Sequence, residues 1–560
     1  GIGYVVPDNK KISHDLLIPP ADRNKAQHGQ FVVAEIVHQP EKHRQAIGRV
    51  ISVIGDGLDA SMAMEVAIRS YDLPFEWPDA AEPEIQGLSD EIDPGDIVNR
   101  TDCRGLPFVT IDGEDAKDFD DAVFCEKQGS GWRLLVAIAD VSHYVKQDSA
   151  LDEEARLRGT SVYFPDRVIP MLPEILSNGL CSLRPEVDRY SLVCEMNIDA
   201  RGKVKRSRFF KAVIQSAARL TYTEMAAITV DKDAGARKKR EALLPHLDDL
   251  YTLYQLLHAE RQQSGLIDFS SLESRFEFDE TGHIAAIHQV ERNNAHRLIE
   301  EMMLVANVAA GKFLEEQQIK GMYRIHETPK AEKLEDLRAL LSQLGLSLGG
   351  GDEPSASDYA KLLGVIRKRD DAHMLETVLL RSMPLAVYSM VNEGHFGLGF
   401  EIYAHFTSPI RRYPDLIVHR AISHILDGQL ADSFAYSQQA MLELAEHCSM
   451  TERRAEEASR DAVQRLKCAF MKDKVGQTFH GIVSSVTAFG LFVLLEDNAI
   501  EGLVHISNLP ADYYHFDAIT HSLRGERGGK TYRLGQKLDV LVSRVDLEER
   551  KIDFELIDDE

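Results

Sequence analysis

Apolar positions along this chain fall into three regimes. Residues 1 to about 75 alternate between apolar and polar in short runs, at GYVV, at FVVAEIV (Phe31 to Val37) and at GRVISVIG (Gly48 to Gly55), separated by turn-forming residues. Short β-rich units of this size predict a small barrel of the OB kind. From Asp79 to Asp96 the periodicity dissolves into Pro, Glu and Asp, and a linker is expected over 76–100. From Thr101 the strands PFVTID and RLLVAIAD come first. Helical spacing then takes over, as in NAHRLIEEMMLVANVAAGKFLEEQ, where Leu298, Ile299, Met302, Met303, Val305 and Ala306 recur on one side. Residues 101–428 therefore read as one large mixed domain. Polar, charge-mixed helix follows over 429–474. Over 475–557 short strands with glycine turns return and predict a second, five-stranded barrel.

A length of 560 residues agrees with several domains rather than one core. Hydrophobic content of 44% and charged content of 28% exclude a disordered chain as the default reading. No apolar run is long enough for a membrane helix; LLVAIA (Leu134 to Ala139) is strand-sized. Nothing at the start resembles a signal peptide, so a cytoplasmic location is expected. The six cysteines are scattered with no C-x-x-C pair, which fits reduced thiols. The chain opens at Gly1 in strand-like sequence, as a piece of a longer protein would. A net charge of −26 argues against nucleic acid only for the average surface, because a basic channel can lie inside an acidic exterior.

The stretch TIDGEDAKDFDDAV changes the picture. It sets six acidic residues between Asp112 and Asp121, with one lysine among them, and strands run in and out of it. A solvated loop is the ordinary explanation of such a run, but a position at strand ends favours a site. A calcium loop does not fit: Gly113 directly follows Asp112, and no glycine follows the later aspartates. Several carboxylates repel one another unless a cation sits among them, and hard divalent ions prefer oxygen ligands. Mg²⁺-assisted phosphodiester hydrolysis is the chemistry this stretch suits best.

Together with SPIRRYPDLIVHRAI (Ser408 to Ile422), GTSVYFPDRVIPMLPEILSNGLCSL (Gly159 to Leu183) and GIVSSVTAFGLFVLLEDNAIEGLVHIS, this stretch closely resembles the RNase II/RNase R family of bacterial exoribonucleases, and within it the RNase R branch. The resemblance covers essentially the whole chain. It implies a multidomain α+β fold: a cold-shock (OB-type) barrel over 1–75, a mixed α/β RNB catalytic domain over 101–428, a helical connection and an S-one-type OB barrel over 475–557. An N-terminal helical region, a first cold-shock domain and a lysine-rich tail belong to RNase R relatives and lie outside this sequence. The activity implied is processive, sequence-independent 3′-to-5′ hydrolysis of RNA to nucleoside 5′-monophosphates. The implied substrate is single-stranded RNA, with structured RNA entered from a 3′ overhang. A monomer without membrane attachment is expected.

The same resemblance assigns roles. Asp112, Asp118, Asp120 and Asp121 fall on the metal-site aspartates, to hold one or two Mg²⁺ ions, with Mn²⁺ as a substitute. Among them Asp120 is more an orienter of the attack than a ligand, and Glu114 and Asp115 are loop or outer groups. The residues alone do not separate these six. Arg411 matches the arginine that meets the phosphate, as a guanidinium suits developing charge, and Arg412 is placed with the RNA contacts. Tyr163, Tyr222 and Phe269, which read as core without the family, match aromatics around the RNA 3′ end, where stacking ignores base identity. Glu300 matches a residue near the terminal nucleotide. His326 and His405 are left out of the catalytic set. In the second barrel Phe479, Phe489, Phe492 and His505 fall where a stacking face is expected, with some of the phenylalanines needed for the core. Arg460, Arg465 and Lys467 are candidates for steering the strand.

Overall fold

The computed structural model describes residues 2–557 except 10, 42–43, 56–59, 268, 270–272, 291, 370 and 518–519. The alternating N-terminal runs form a four-stranded sheet from β1 (Gly3–Val5), β2 (Leu16–Ile18), β3 (Phe31–His38) and β4 (Ile47–Gly55), in the order β1-β2-β4-β3. Its core is small, centred on Leu16, Ile18 and Val50. A helix, Ala60–Ser70, follows and buries Ala63, Met64, Ala67 and Ile68 against Ala455, Ala458, Ala462 and Leu466 of the long helix Gln438–Lys472. Alanines at the contact let the two helices approach closely, and the long helix becomes the spine on which the other parts sit.

The segment read as a linker is tied down. It contains a short helix, Glu82–Gln86, and the 3₁₀ turn Pro94–Asn99. The Glu84 carboxylate accepts the backbone N–H groups of Ala150 and Leu151, at 2.9 and 3.2 Å, and so caps the helix Ala150–Arg158 from outside.

The large domain is built on a seven-stranded sheet. Its first strands are β5 (Thr101–Asp102), β6 (Val109–Asp112), β7 (Asp121–Gln128) and β8 (Gly131–Ala139). A two-residue-stranded hairpin, β9 (Val162–Tyr163) with β10 (Val168–Ile169), intervenes before β11 (Asp188–Ile198), β12 (Val204–Gln215) and β13 (Ala218–Thr221). The order across the sheet is β13-β6-β7-β8-β11-β12-β5. The continuous apolar run Leu134 to Ala139 has the signature of a strand covered on both faces, and all six residues are buried. Cover comes from helices including Asn294–Glu316 and Tyr413–Leu426. The first of these matches the helical spacing of its sequence and starts at a capping box made by Asn293 and His296. Three further helices, Ala331–Gln343, Ala356–Ile366 and Ala372–Ser382, pack round a core of their own.

Beyond the spine helix the chain closes a five-stranded barrel. Thr478–Thr487, Gly490–Leu495, Glu501–His505, Lys551–Leu556 and Lys537–Asp546 follow one another round the ring. Phe479 packs against the barrel core, while Phe489 and Phe492 meet edge-to-face outside it at 6.0 Å. Arg465 and Lys467 of the spine helix are engaged inside the protein, Arg465 with Asp8 and Asp461 and Lys467 with the Ala499 carbonyl. Of the three basic residues expected to steer RNA from this helix, Arg460 alone is exposed.

Candidate active site

Asp112 is the last residue of β6 and Asp121 the first of β7, and these strands are antiparallel neighbours, second and third from the β13 edge of the sheet. The loop between them brings Asp118 and Asp120 to the same end. Glu114, Asp115 and Lys117 are exposed, yet the loop is fastened on both sides. Arg219 of β13 donates to the carbonyls of Gly113 and Glu114, and Thr223 Oγ1 donates to Glu114 at 2.7 Å. Ser182 donates to the Lys117 carbonyl and accepts the Phe119 N–H, at 2.6 and 3.0 Å. Phe119 is buried, so the apolar residue inside the acidic run anchors it.

The electrostatics show crowding. Burial raises the Asp112 carboxyl, and the neighbouring Asp118 adds to the rise. Asp121 is pushed up to about 7 by burial and by the charge of Asp112. Asp120 rises well above the ordinary range through burial, although Arg411 and the Ile410 N–H pull the other way. Among the described residues these side chains do not already form a cage of three or more ligands at coordinating distance. The donor set nevertheless suits a hard divalent cation: it is all carboxylate oxygen, at a strand-end position where burial makes uncompensated negative charge costly.

The second half of the site comes from the turn before the helix Tyr413–Leu426. The Ile410 N–H donates to Asp120 Oδ1 at 2.9 Å, and Arg411 Nε lies 3.7 Å from Asp120 Oδ2. Arg411 also donates to Ser408 Oγ at 3.1 Å, and its side chain remains 44% exposed, so the guanidinium can reach a ligand. Asp415, fully buried in the first turn of the helix, accepts the Ser408 N–H at 2.8 Å and both forks of Arg412 at 2.8 and 2.9 Å. Arg412, expected among the RNA contacts, is thus turned inward to hold the turn. The paired arginines point to different tasks because one has an acid three residues ahead on its own helix face.

Aromatic residues approach from two sides. Tyr163, 43% exposed, donates from its hydroxyl to Asp118 at 3.3 Å, and its carbonyl is held by Ser459 of the spine helix. Burial raises its pKa. Tyr222 directly follows Thr221, the register partner of Asp112, and stacks on His296 at 3.9 Å with the rings 20° apart. Glu300 stands one turn beyond His296 and pairs with Arg292 at 3.0 Å. Tyr222, His296, Arg292 and Glu300 therefore form one wall. Phe269 does not join either group; it packs half-buried against the core of the three further helices, with its neighbours 268 and 270–272 outside the described residues.

His326 and His405 are structural. The His326 ring bridges the Pro384 carbonyl and the Gly397 N–H at 2.8 Å each, and His405 meets the Tyr388 hydroxyl at 2.9 Å. Burial keeps both neutral by lowering their pKa. Sequence reasoning missed Arg219, His296 and Asp415. For His296 a signal existed, the i, i+4 spacing to Glu300 in NAHRLIE. For Asp415 it was the acid at i+3 from Arg412.

Known proteins match the chain domain by domain and over its whole length. Residues 4–78 match the cold shock domain family, 100–428 the RNB domain and 472–557 the S1 RNA binding domain. Ribonuclease R of Escherichia coli is 49% identical over 569 aligned residues, which take in 100% of this chain and 70% of that protein. The structure of Mycoplasma genitalium RNase R with ribose-methylated single-stranded RNA superposes with a TM-score of 0.90 at 29% identity, covering 99% of this chain and 86% of that one. The same enzyme with double-stranded RNA gives 0.86 at 28% identity, covering 99% and 93%.

Proposed function

The chain belongs to the ribonuclease R group of the RNB family and is a hydrolytic 3′-to-5′ exoribonuclease, and from that premise we propose how its own residues divide the work. Asp112, Asp118 and Asp121 would hold the divalent metal, Mg²⁺ with Mn²⁺ as a substitute, in one or two sites. When bound, such an ion supplies Lewis-acid stabilisation and a water acidic enough to attack at neutral pH.

Asp120 has a different task. One of its oxygens is taken by the Ile410 N–H and the other faces Arg411. It is therefore held rigid between the acidic loop and the arginine turn, where it accepts a proton-bearing group of the attack and keeps the guanidinium aimed. Arg411 donates to a non-bridging oxygen of the scissile phosphate as charge builds there. Tyr163 lies beside Asp118 and Tyr222 beside Asp112, so bases stacked on these rings carry the phosphate between them to the carboxylates. Arg292 and Glu300, with His296 behind Tyr222, offer hydrogen bonds to the terminal nucleotide and its ribose 2′-OH, the group that distinguishes RNA from DNA. Phe269 would act only at a distance from the carboxylates, from its place against the core of the three further helices.

The single observation that carries this reading is the meeting of Asp120 with Ile410 and Arg411, residues remote in sequence that close on one carboxylate at a strand end. The products are nucleoside 5′-monophosphates, the strand enters 3′ end first, and the enzyme works as a monomer in the cytoplasm. Among the described residues no helix is long and apolar enough to cross a membrane, and the six cysteines are free and buried. The test is 5′-labelled RNA incubated with Mg²⁺, with chelator, and with the Asp120→Asn protein. Progressive shortening from the 3′ end is expected in the first case only; shortening in chelator would remove the metal from the scheme.

A further inference from the structure

The C-terminal barrel closes without one of its segments. Between its strands Glu501–His505 and Lys537–Asp546 the chain leaves the ring and builds a separate three-stranded sheet, Tyr514–Asp517, Ser522–Gly525 and Thr531–Arg533. The inner face of this sheet is satisfied: Leu523 and Tyr532 are fully buried and Tyr514 nearly so, all within the barrel's own core. The outer face is different. Register sets His515 beside Arg524 and Arg524 beside Thr531, with Arg533 next along the same face opposite Ser522.

Arg524, Arg527 and Arg533 are exposed, and among the described residues none of the three is in an ion pair. The nearby carboxylates are spoken for: Glu526 faces His515 at 3.5 Å and Glu496 takes Lys537 at 3.0 Å. From 524 to 537 the chain has five Lys and Arg against one acid, in a protein whose net charge is −26. Tyr513 stands 66% exposed with its ring edge-on to His515 at 4.9 Å. The turn carrying Arg527 is also rigid, because the Asp512 carboxylate accepts the N–H groups of Tyr513, Arg527 and Gly528. Gly535 at the base of the sheet lies against Asp371, at the start of the helix Ala372–Ser382. Arg381 of that helix is exposed as well.

We propose that this outer face is an RNA-binding surface separate from the barrel's stacking face, taking the sugar-phosphate backbone of the strand. Exposed, unpaired guanidinium forks on a preorganised sheet with an aromatic at the edge fit phosphates and an unstacked base. The proposal rests on the exoribonuclease reading: with the 3′ end at the carboxylates, whatever touches this domain lies on the 5′ side, upstream of the nucleotides at the catalytic site.

The test uses the full chain bearing Asp120→Asn so that bound RNA survives, with and without Arg524→Gln, Arg527→Gln and Arg533→Gln together. Binding is measured against salt for strands of about 5 and about 30 nucleotides. For the longer strand, affinity near 0.1 M salt is expected to fall about tenfold or more, and the slope of log affinity against log salt to lessen by about 2, at roughly 0.7 per phosphate lost. The short strand is expected to bind as before. The triple Arg→Lys protein should keep most of the salt slope, which a merely structural role would not predict. Unchanged binding of the longer strand, or equal losses for both lengths, would overturn the proposal. The exoribonuclease reading fails separately, if the protein with native Asp120 and Mg²⁺ leaves the short strand intact.

Discussion

At the scale of single residues the site is an arrangement of charges that the fold alone does not compensate. Burial and the charge of Asp112 disfavour the Asp121 anion and push its pKa up to about 7. A carboxyl raised in the folded state costs stability as pH climbs from its unfolded value near 4 to about 7, and the full cost remains above that. The metal-free protein is therefore expected to lose thermal stability between about pH 4 and pH 7 through this group, and Mg²⁺ should restore it. Melting scans should show a larger Mg²⁺-induced rise at pH 8 than at pH 6, and Asp121→Asn should flatten the difference. Arg411 poses a different question, since its guanidinium is half exposed and its nearest acid is 3.7 Å away. Arg411→Ala is expected to lower kcat by about 10²- to 10³-fold with KM little changed, as removal of a donor to developing charge does. A loss confined to KM would make it a binding residue instead.

At the scale of elements, the helix Tyr413–Leu426 positions that guanidinium through a residue that touches no substrate. Asp415 is fully buried and serves Ser408 and Arg412 at once. Removing it strands an arginine and a backbone N–H in the interior, a change that costs about 3 to 5 kcal/mol for a buried pair. Asp415→Ala should accordingly shift the urea midpoint strongly and slow catalysis even where the protein remains folded. This element also marks where the sequence stops being legible. Strands such as Leu134 to Ala139 and the helix Asn294–Glu316 announce themselves, because burial on both faces or on one side imposes a pattern of apolar residues. The motif TIDGEDAKDFDDAV is legible for a related reason: like charge so dense needs an explanation on its face. Which arginine of Arg411 and Arg412 faces outward is decided by Asp415 closing a turn, and periodicity does not report turns. The family resemblance groups Phe269 with the aromatics of the site, while its packing among the three further helices depends on contacts far along the chain. The Pro- and acid-rich segment around Glu84 looked unattached because one capping carboxylate leaves no pattern.

At the scale of the whole molecule, the parts are joined where the charges of three domains meet. Asp8 of the N-terminal domain accepts from Arg465 of the spine helix at 2.7 Å and from Arg550 of the C-terminal barrel at 3.2 Å, and Ser70 adds a hydroxyl at 3.0 Å. Asp461 holds both arginines from the other side, at 2.9 and 3.0 Å. Burial by itself would raise Asp8, but the hydrogen bonds and charges of the two arginines prevail and hold it below the usual carboxylate value. The sign follows: the contact is fully stabilising above the unfolded value and is lost as pH falls below about 4 through the depressed one. Because Arg465 keeps Asp461, Asp8→Ala should leave the spine helix folded while freeing the N-terminal sheet, at a cost of about 1 to 3 kcal/mol for charged hydrogen bonds. Hydrogen exchange should then quicken in β1 to β4 and leave the seven-stranded sheet protected. Since the carboxylates and Arg411 lie within the large domain, cleavage of a very short strand should continue at its former rate. Longer strands, which on the proposed reading also touch the N-terminal sheet and the C-terminal barrel, should bind more weakly. Equal slowing on both lengths would mean that the latch supports the geometry of the catalytic site as well as the gathering of the strand.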